Sequence, residues 1–327
     1  MNDRSRRAAL GAVAAAWLAA GCASLSPDER RTLSGHPALP ERVLLEHPPF
    51  HPQLEFQCGP AALATALGAS GVTVAPERLA QDVFLPARRG SLQVEMLAGS
   101  RRHGRVATRI APSLAALLRE LAAGEPVVLL QNLGLGWAPL WHYAVAVGYD
   151  LPASEILLRS GTSRLLRMPL STFDRTWARS GRWAFMATAP GRFPVSADEP
   201  GVVQAMVGFE RVALPADAVL GYSQGLVRWP DSLALGLGLG NSLHASGNLR
   251  GAAAAFGDVV RRHPQSPPGW INLALTWRSL GNLEEARLAA VMAVQVARSG
   301  GEGASRWMAD AEAALRQVES AEAAPRP

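Results

Sequence analysis

The amino-acid sequence predicts two consecutive domains of different class: an α+β domain over residues 46–190, then an all-α domain over 201–327. Three observations lead there. From Cys58 to Ala123 apolar residues recur at helical spacing, and from Pro126 onward apolar runs of strand length replace them. Pro190, Gly191, Pro194 and Pro200 mark residues 191–200 as a linker. Beyond the linker an Ala/Leu-rich pattern repeats about every 34 residues. A length of 327 residues with 48% hydrophobic side chains is enough for two cores.

The chain opens with Arg4, Arg6 and Arg7, an apolar stretch from Ala8 to Ala20, and Leu18-Ala19-Ala20-Gly21-Cys22. This reads as a secretory signal over 1–21 with a lipobox, cleaved before Cys22 and acylated on its thiol. The apolar run is too short for an ordinary membrane-spanning helix. Ala23 after the cysteine resembles lipoproteins sent to the outer membrane, so the mature chain is expected to face the periplasm from that membrane. Residues 22–45 read as a lipidated tether. Helices follow at Cys58–Gly68, Pro76–Val83, Ser91–His103 (stopped by Gly104) and Ser113–Ala123 (stopped by Gly124). Strands are expected at Pro126–Gln131, His142–Tyr149, Glu155–Arg159, Arg164–Arg167 and Trp183–Thr188, interrupted by a helical turn at Leu170–Trp177. The Gly- and Pro-containing loop Asn132–Leu140 leads into His142 and should line a cleft.

In the second domain Trp270, Leu273, Ala274, Trp277, Gly281, Ala286 and Ala290 align one period back with Gly236, Leu239, Gly240, Leu243, Gly247, Ala252 and Phe256. A poorer copy includes Phe209, Ala218, Tyr222 and Pro230. Small residues at Gly240, Ala252, Ala274 and Ala286 let paired helices approach, while Phe256, Trp270 and Trp277 fill between hairpins. The period and the small/large pattern resemble tetratricopeptide repeats, with Ala304–Val318 as capping helix. Such arrays bind protein partners on a concave face.

The chemistry centres on Cys58. The chain has two cysteines, and with Cys22 acylated the other has no disulfide partner. In Gln53-Leu54-Glu55-Phe56-Gln57-Cys58-Gly59-Pro60 the thiol stands at the mouth of a helix, where free N–H groups and the dipole favour thiolate. On that basis its pKa should fall below the ordinary thiol value. Gln53 could donate to a developing oxyanion, with Gln57 as the other choice. His142 opens an apolar strand downstream, and Cys on a helix N-terminus facing His on a strand is the papain-type arrangement.

Gln-x4-Cys-Gly-Pro-x-x-Leu-Ala, Gly90-Ser91 and His142-Tyr143-Ala144-Val145-Ala146-Val147-Gly148 together resemble the bacteriocin-leader (double-glycine) peptidase family over about residues 50–190. The resemblance implies a papain-like cysteine peptidase domain. Cys58 would be the nucleophile, His142 the general base and Gln53 the oxyanion donor. The family carries an Asp after the His strand to orient the imidazole; here Ser160 occupies that place. Serine can accept from the imidazole Nδ1–H but brings no charge. Asp150 sits in the turn after the His strand and should point away.

These readings imply a cysteine peptidase acting on peptide or protein substrates through a thioester on Cys58. The alternative is a catalytically weak or inactive peptidase-like module serving as an envelope or secretion scaffold. Amidase or transglutaminase-like acyl transfer is a third reading. No cofactor is implied. His47 and His51 are four apart before the Cys58 motif, but Pro48, Pro49 and Pro52 oppose the helix that would align them on a metal, so no metal site is expected. The 32 basic residues are all Arg, in runs no longer than two, so the net charge of +5 reads as a solvated surface and not as a nucleic-acid interface.

Overall fold

A computed structural model describes residues 39–53, 57–299 and 303–323. The signal, Cys22 and most of the expected tether lie outside these residues. The chain folds as two compact units: the first runs up to Ala189 and takes in Pro194–Gly201, and the second combines Pro190–Phe193 with 202 onward.

The first unit is α+β. It runs β1 (Arg42–Leu44), α1 (Cys58–Ala69), α2 (Pro76–Val83), α3 (Gln93–Arg102), β2 (Val106–Arg109), α4 (Leu114–Ala122), β3 (Val127–Asn132), β4 (Trp141–Asp150), β5 (Glu155–Ser160), β6 (Ser163–Pro169), α5 (Leu170–Ala178) and β7 (Ala184–Thr188). The strands form one seven-stranded antiparallel sheet in the order β2-β7-β3-β4-β5-β6, with β1 paired to the far half of β4. β4 is its axis: Trp141–Ala146 pair with β3, and Gly148–Asp150 pair with β1. Two strands, β1 and β2, escaped the sequence reading. Arg42–Leu44 falls inside the expected tether, which therefore ends as part of the sheet, with Leu45 packed in the core.

α1 is unusual in its burial. Every residue from Gly59 to Leu67 is buried, so it is a central helix and not an amphipathic surface one. Its Ala-rich composition permits this, since small side chains let strands and helices close around it. Pro60 is tolerated in the first turn, where no intrahelical donor is needed. α4 is capped by Ser113, whose Oγ accepts from Ala116 N at 3.2 Å. Trp177, Phe173 and Phe185 complete the core.

The second unit is all helical: α6 (Glu199–Glu210, whose residues 199–201 group with the first unit), α7 (Pro215–Arg228), α8 (Leu233–Ala245), α9 (Leu249–Arg262), α10 (Pro267–Ser279), α11 (Leu283–Ser299) and α12 (Met308–Ala323). Consecutive helices pair as hairpins that stack on their neighbours, with α12 covering α10 and α11. In the poor first copy, a Cβ on Gly221 of α7 would meet Met206 of α6, the Tyr222 hydroxyl donates to Glu210 at 2.6 Å, and Phe209, Ala218 and Tyr222 are buried. Ala252, Ala274 and Ala286 are fully buried and share one core with Phe256. Trp277 is only half-buried at its edge. No helix among the described residues is long and apolar enough to cross a membrane.

Candidate active site

Cys58 is the first residue of α1 and is partly buried. Its neighbour Gly59 is required by packing: a Cβ there would run into the Ser91 side chain. The Gly90-Ser91 turn thus lies directly on the helix start. The Tyr143 hydroxyl donates to Ser91 O at 3.2 Å, tying that turn to β4.

His142 is the second residue of β4, and Ser160 ends β5. The Val145↔Arg159 register carries Ser160 alongside the start of β4. There Ser160 Oγ lies 2.8 Å from His142 Nε2. The nitrogen facing serine is therefore Nε2, not the Nδ1 expected from sequence, which leaves Nδ1 as the nitrogen not bonded to Ser160. Asp150 is at the opposite end of β4, where it accepts from Ala153 N at 3.1 Å and pairs with Arg42 at 3.0 Å. The Ala153 N–H, and then Arg42, hold its carboxyl below the usual range. It has no part in orienting His142.

Gln53 proves to be a clasp. Its Nε2 donates to Tyr143 O at 3.2 Å and its Oε1 accepts from Gly161 N at 2.9 Å. Its own backbone N–H donates to Gly161 O at 3.0 Å. It joins the strand of His142 to the turn after Ser160. One amide N–H is thereby engaged. Gln57 caps α1 only through its backbone, with Ala61 N donating to Gln57 O at 3.1 Å.

Electrostatics correct one expectation. Burial pushes the Cys58 thiol above its ordinary value, outweighing the Tyr143, Gly59 and Cys58 backbone N–H groups that favour thiolate. Burial likewise holds His142 below 6.5. Among the described residues no hydrogen bond joins Cys58 to His142. Both directions favour the neutral thiol and the neutral imidazole over the ion pair. The helix terminus acts as predicted, but desolvation wins.

Cys58, His142 and Gln53 line one cleft of about 980 Å³. One rim is Arg88–Gln93; the other combines Leu133, Pro139, Leu140 and Trp141 with Arg179 and Ser180. The expected cleft-lining loop is thus in place. His51 is only partly buried, and burial lowers its pKa against the charge of Glu77. Among the described residues no group of three His, Cys, Asp or Glu could hold a metal.

Residues 46–184 match the family model described as Peptidase_C39 like family. Among solved structures, the chain is similar to a C39-like peptidase from Bacillus anthracis (20% identity, 46% of this chain and 98% of that one, TM-score 0.38). It is also similar to the peptidase domain of Streptococcus ComA, a bifunctional ABC transporter (17% identity, 44% and 99% covered, TM-score 0.37). A third similarity is to the Sgt2 TPR domain from Aspergillus fumigatus (19% identity, 39% and 84% covered, TM-score 0.33). No curated protein matches the chain.

Proposed function

With a Peptidase_C39-like first domain as the premise, we propose that the chain is a cysteine peptidase whose nucleophile is Cys58 and whose general base is His142. The observation that carries this reading is a single cleft lined by thiol, imidazole and amide, with Ser160 bonded to Nε2 of the imidazole. When substrate fills the cleft, His142 takes the thiol proton as Cys58 sulfur attacks the scissile carbonyl. The oxyanion is received by the Cys58 backbone N–H and the remaining Gln53 amide N–H. The imidazolium then protonates the leaving amine, and water, deprotonated by His142, hydrolyses the thioester. Ser160, accepting from Nε2–H, holds the tautomer that presents a lone pair on Nδ1.

The proposal extends to location and partners. An acylated Cys22 would hold the mature chain at the outer membrane, facing the periplasm, and the repeats would recruit protein partners. The inactive-scaffold reading is favoured by one observation: a neutral serine beside a neutral imidazole stabilises no ion pair.

Labelling by an electrophilic peptide probe separates the two readings. With a general base at work, His142→Ala should slow acylation of Cys58 by about 100-fold or more. Equal rates in parent and variant would leave the scaffold reading. Mass spectrometry of the mature N-terminus tests the anchor, and an intact Met1 would refute it.

A further inference from the structure

The outer rim of the cleft is a built projection. Leu133 N donates to Leu140 O at 2.9 Å, and Leu135 and Ala138 exchange both backbone bonds, at 3.1 and 3.2 Å. Asn132 Oδ1 accepts from Gly134 N at 3.0 Å and Leu140 N at 2.9 Å. Arg179 Nη1 donates to Asn132 O at 3.1 Å and Gly134 O at 2.8 Å. A Cβ on Gly134 would strike Ala138 O, so the two arms close only around glycine. The result is a pinned hairpin, not a slack loop.

What it displays is apolar. Trp137 is 85% exposed, Leu140 62%, Leu135 53% and Trp141 51%. No charged residue occurs between Gln131 and Trp141. Leu140 and Trp141 face the cleft, whereas Leu135 and Trp137, at the tip, do not line it. The opposite rim of the cleft carries Arg88 and Arg89, the hairpin's own rim carries Arg179, and among the described residues no Asp or Glu lines the cleft. Leucine and tryptophan at the tip, with arginines on both rims of the cleft beside it, suit the boundary between acyl chains and anionic headgroups.

We infer that the Leu133–Trp141 hairpin docks on an anionic lipid surface, inserting Leu135 and Trp137 and placing the mouth of the cleft at the bilayer. The proposal does not rest on the chemistry of Cys58. It is tested with the mature chain, from residue 22 onward and carrying Cys22→Ser, so that neither signal nor acyl chain contributes. The probe is vesicles of phosphatidylcholine with phosphatidylglycerol, against phosphatidylcholine alone. The parent should float with the anionic vesicles and show a blue-shifted tryptophan emission. Leu135→Ser/Trp137→Ser should weaken that binding by about tenfold or more, and Trp137→Phe should retain most of it. Thermal unfolding and Cys58 alkylation measured on the same samples report the fold and the proposed nucleophile separately. Absence of vesicle binding in the parent, or equal binding by the double serine variant, overturns the proposal. So does a double variant that binds vesicles as the parent does but loses affinity for a peptide probe, which would make the hairpin a peptide-binding lip.

Discussion

Ser160→Asp asks how the imidazole is controlled. Ser160 is 8% exposed, and its Oγ is 2.8 Å from His142 Nε2, so a carboxylate there would meet the ring nearly in contact. Two unit charges 4 Å apart interact by about 4 kcal/mol at an effective dielectric near 20. Desolvating the new carboxylate consumes part of this, leaving a rise of about 1–3 pH units in the His142 midpoint. Each unit corresponds to about 1.4 kcal/mol in favour of imidazolium. The sign is fixed by the parent: burial holds His142 below 6.5, so it is neutral at pH 7. The variant should keep its proton to higher pH and should accelerate Cys58 alkylation at neutrality, since a nearby imidazolium favours thiolate. NMR titration of the ring Cε1–H, assigned with His142→Ala, reads the midpoint directly. A parent midpoint at or above 6.5, or a variant midpoint that stays in place or falls, would refute the argument.

Folding stability should depend on pH at both ends. His142, depressed in the folded state, contributes fully above 6.5 and less as pH falls through its folded value. Cys58, raised, contributes fully below 9.0 and less as pH climbs through its folded value. Chemical denaturation of His142→Ala should show a shallower acid limb and of Cys58→Ser a shallower alkaline one; unchanged limbs would refute the burial argument. In the repeats, a Cβ on Gly240 would enter the Phe256 ring, whereas Gly257 has open space. Gly240→Ala should therefore lose about 1–3 kcal/mol, and Gly257→Ala should gain about 1 kcal/mol, in urea unfolding. Phe256→Ala should cost about 3–5 kcal/mol, because that ring is 1% exposed. Half-buried Trp277→Ala should cost distinctly less, and the reverse order would count against the packing described.

The order of elements was legible because helical and strand periodicities differ, and Cys58 could be placed at a helix start from Gly59-Pro60 and the apolar run behind it. The repeats were legible through registered small residues, which mark where helices must touch. β1 and β2 were not, because three and four residues are too few to show alternation. Their strand character comes from the partners they pair with, β4 and β7. Gln53, five residues before Cys58, could be read as a candidate oxyanion donor, but nothing local foretold its bonds to Tyr143 and Gly161, far away in the chain. The helix-terminus effect on Cys58 could be anticipated. The burial that overrides it is tertiary, set by the walls closing on the thiol.

The raised pKa of Cys58 also bears on how long the protein lasts. Oxidants attack thiolates, and a lone thiol that reaches the sulfenic stage has no neighbour to trap it as a reversible disulfide. Cys58 is the only cysteine among the described residues. Burial favours its protonated form, which presents peroxides with a poorer target than a thiolate. In an oxidising compartment, the slow resting chemistry of this thiol would act as a preservative.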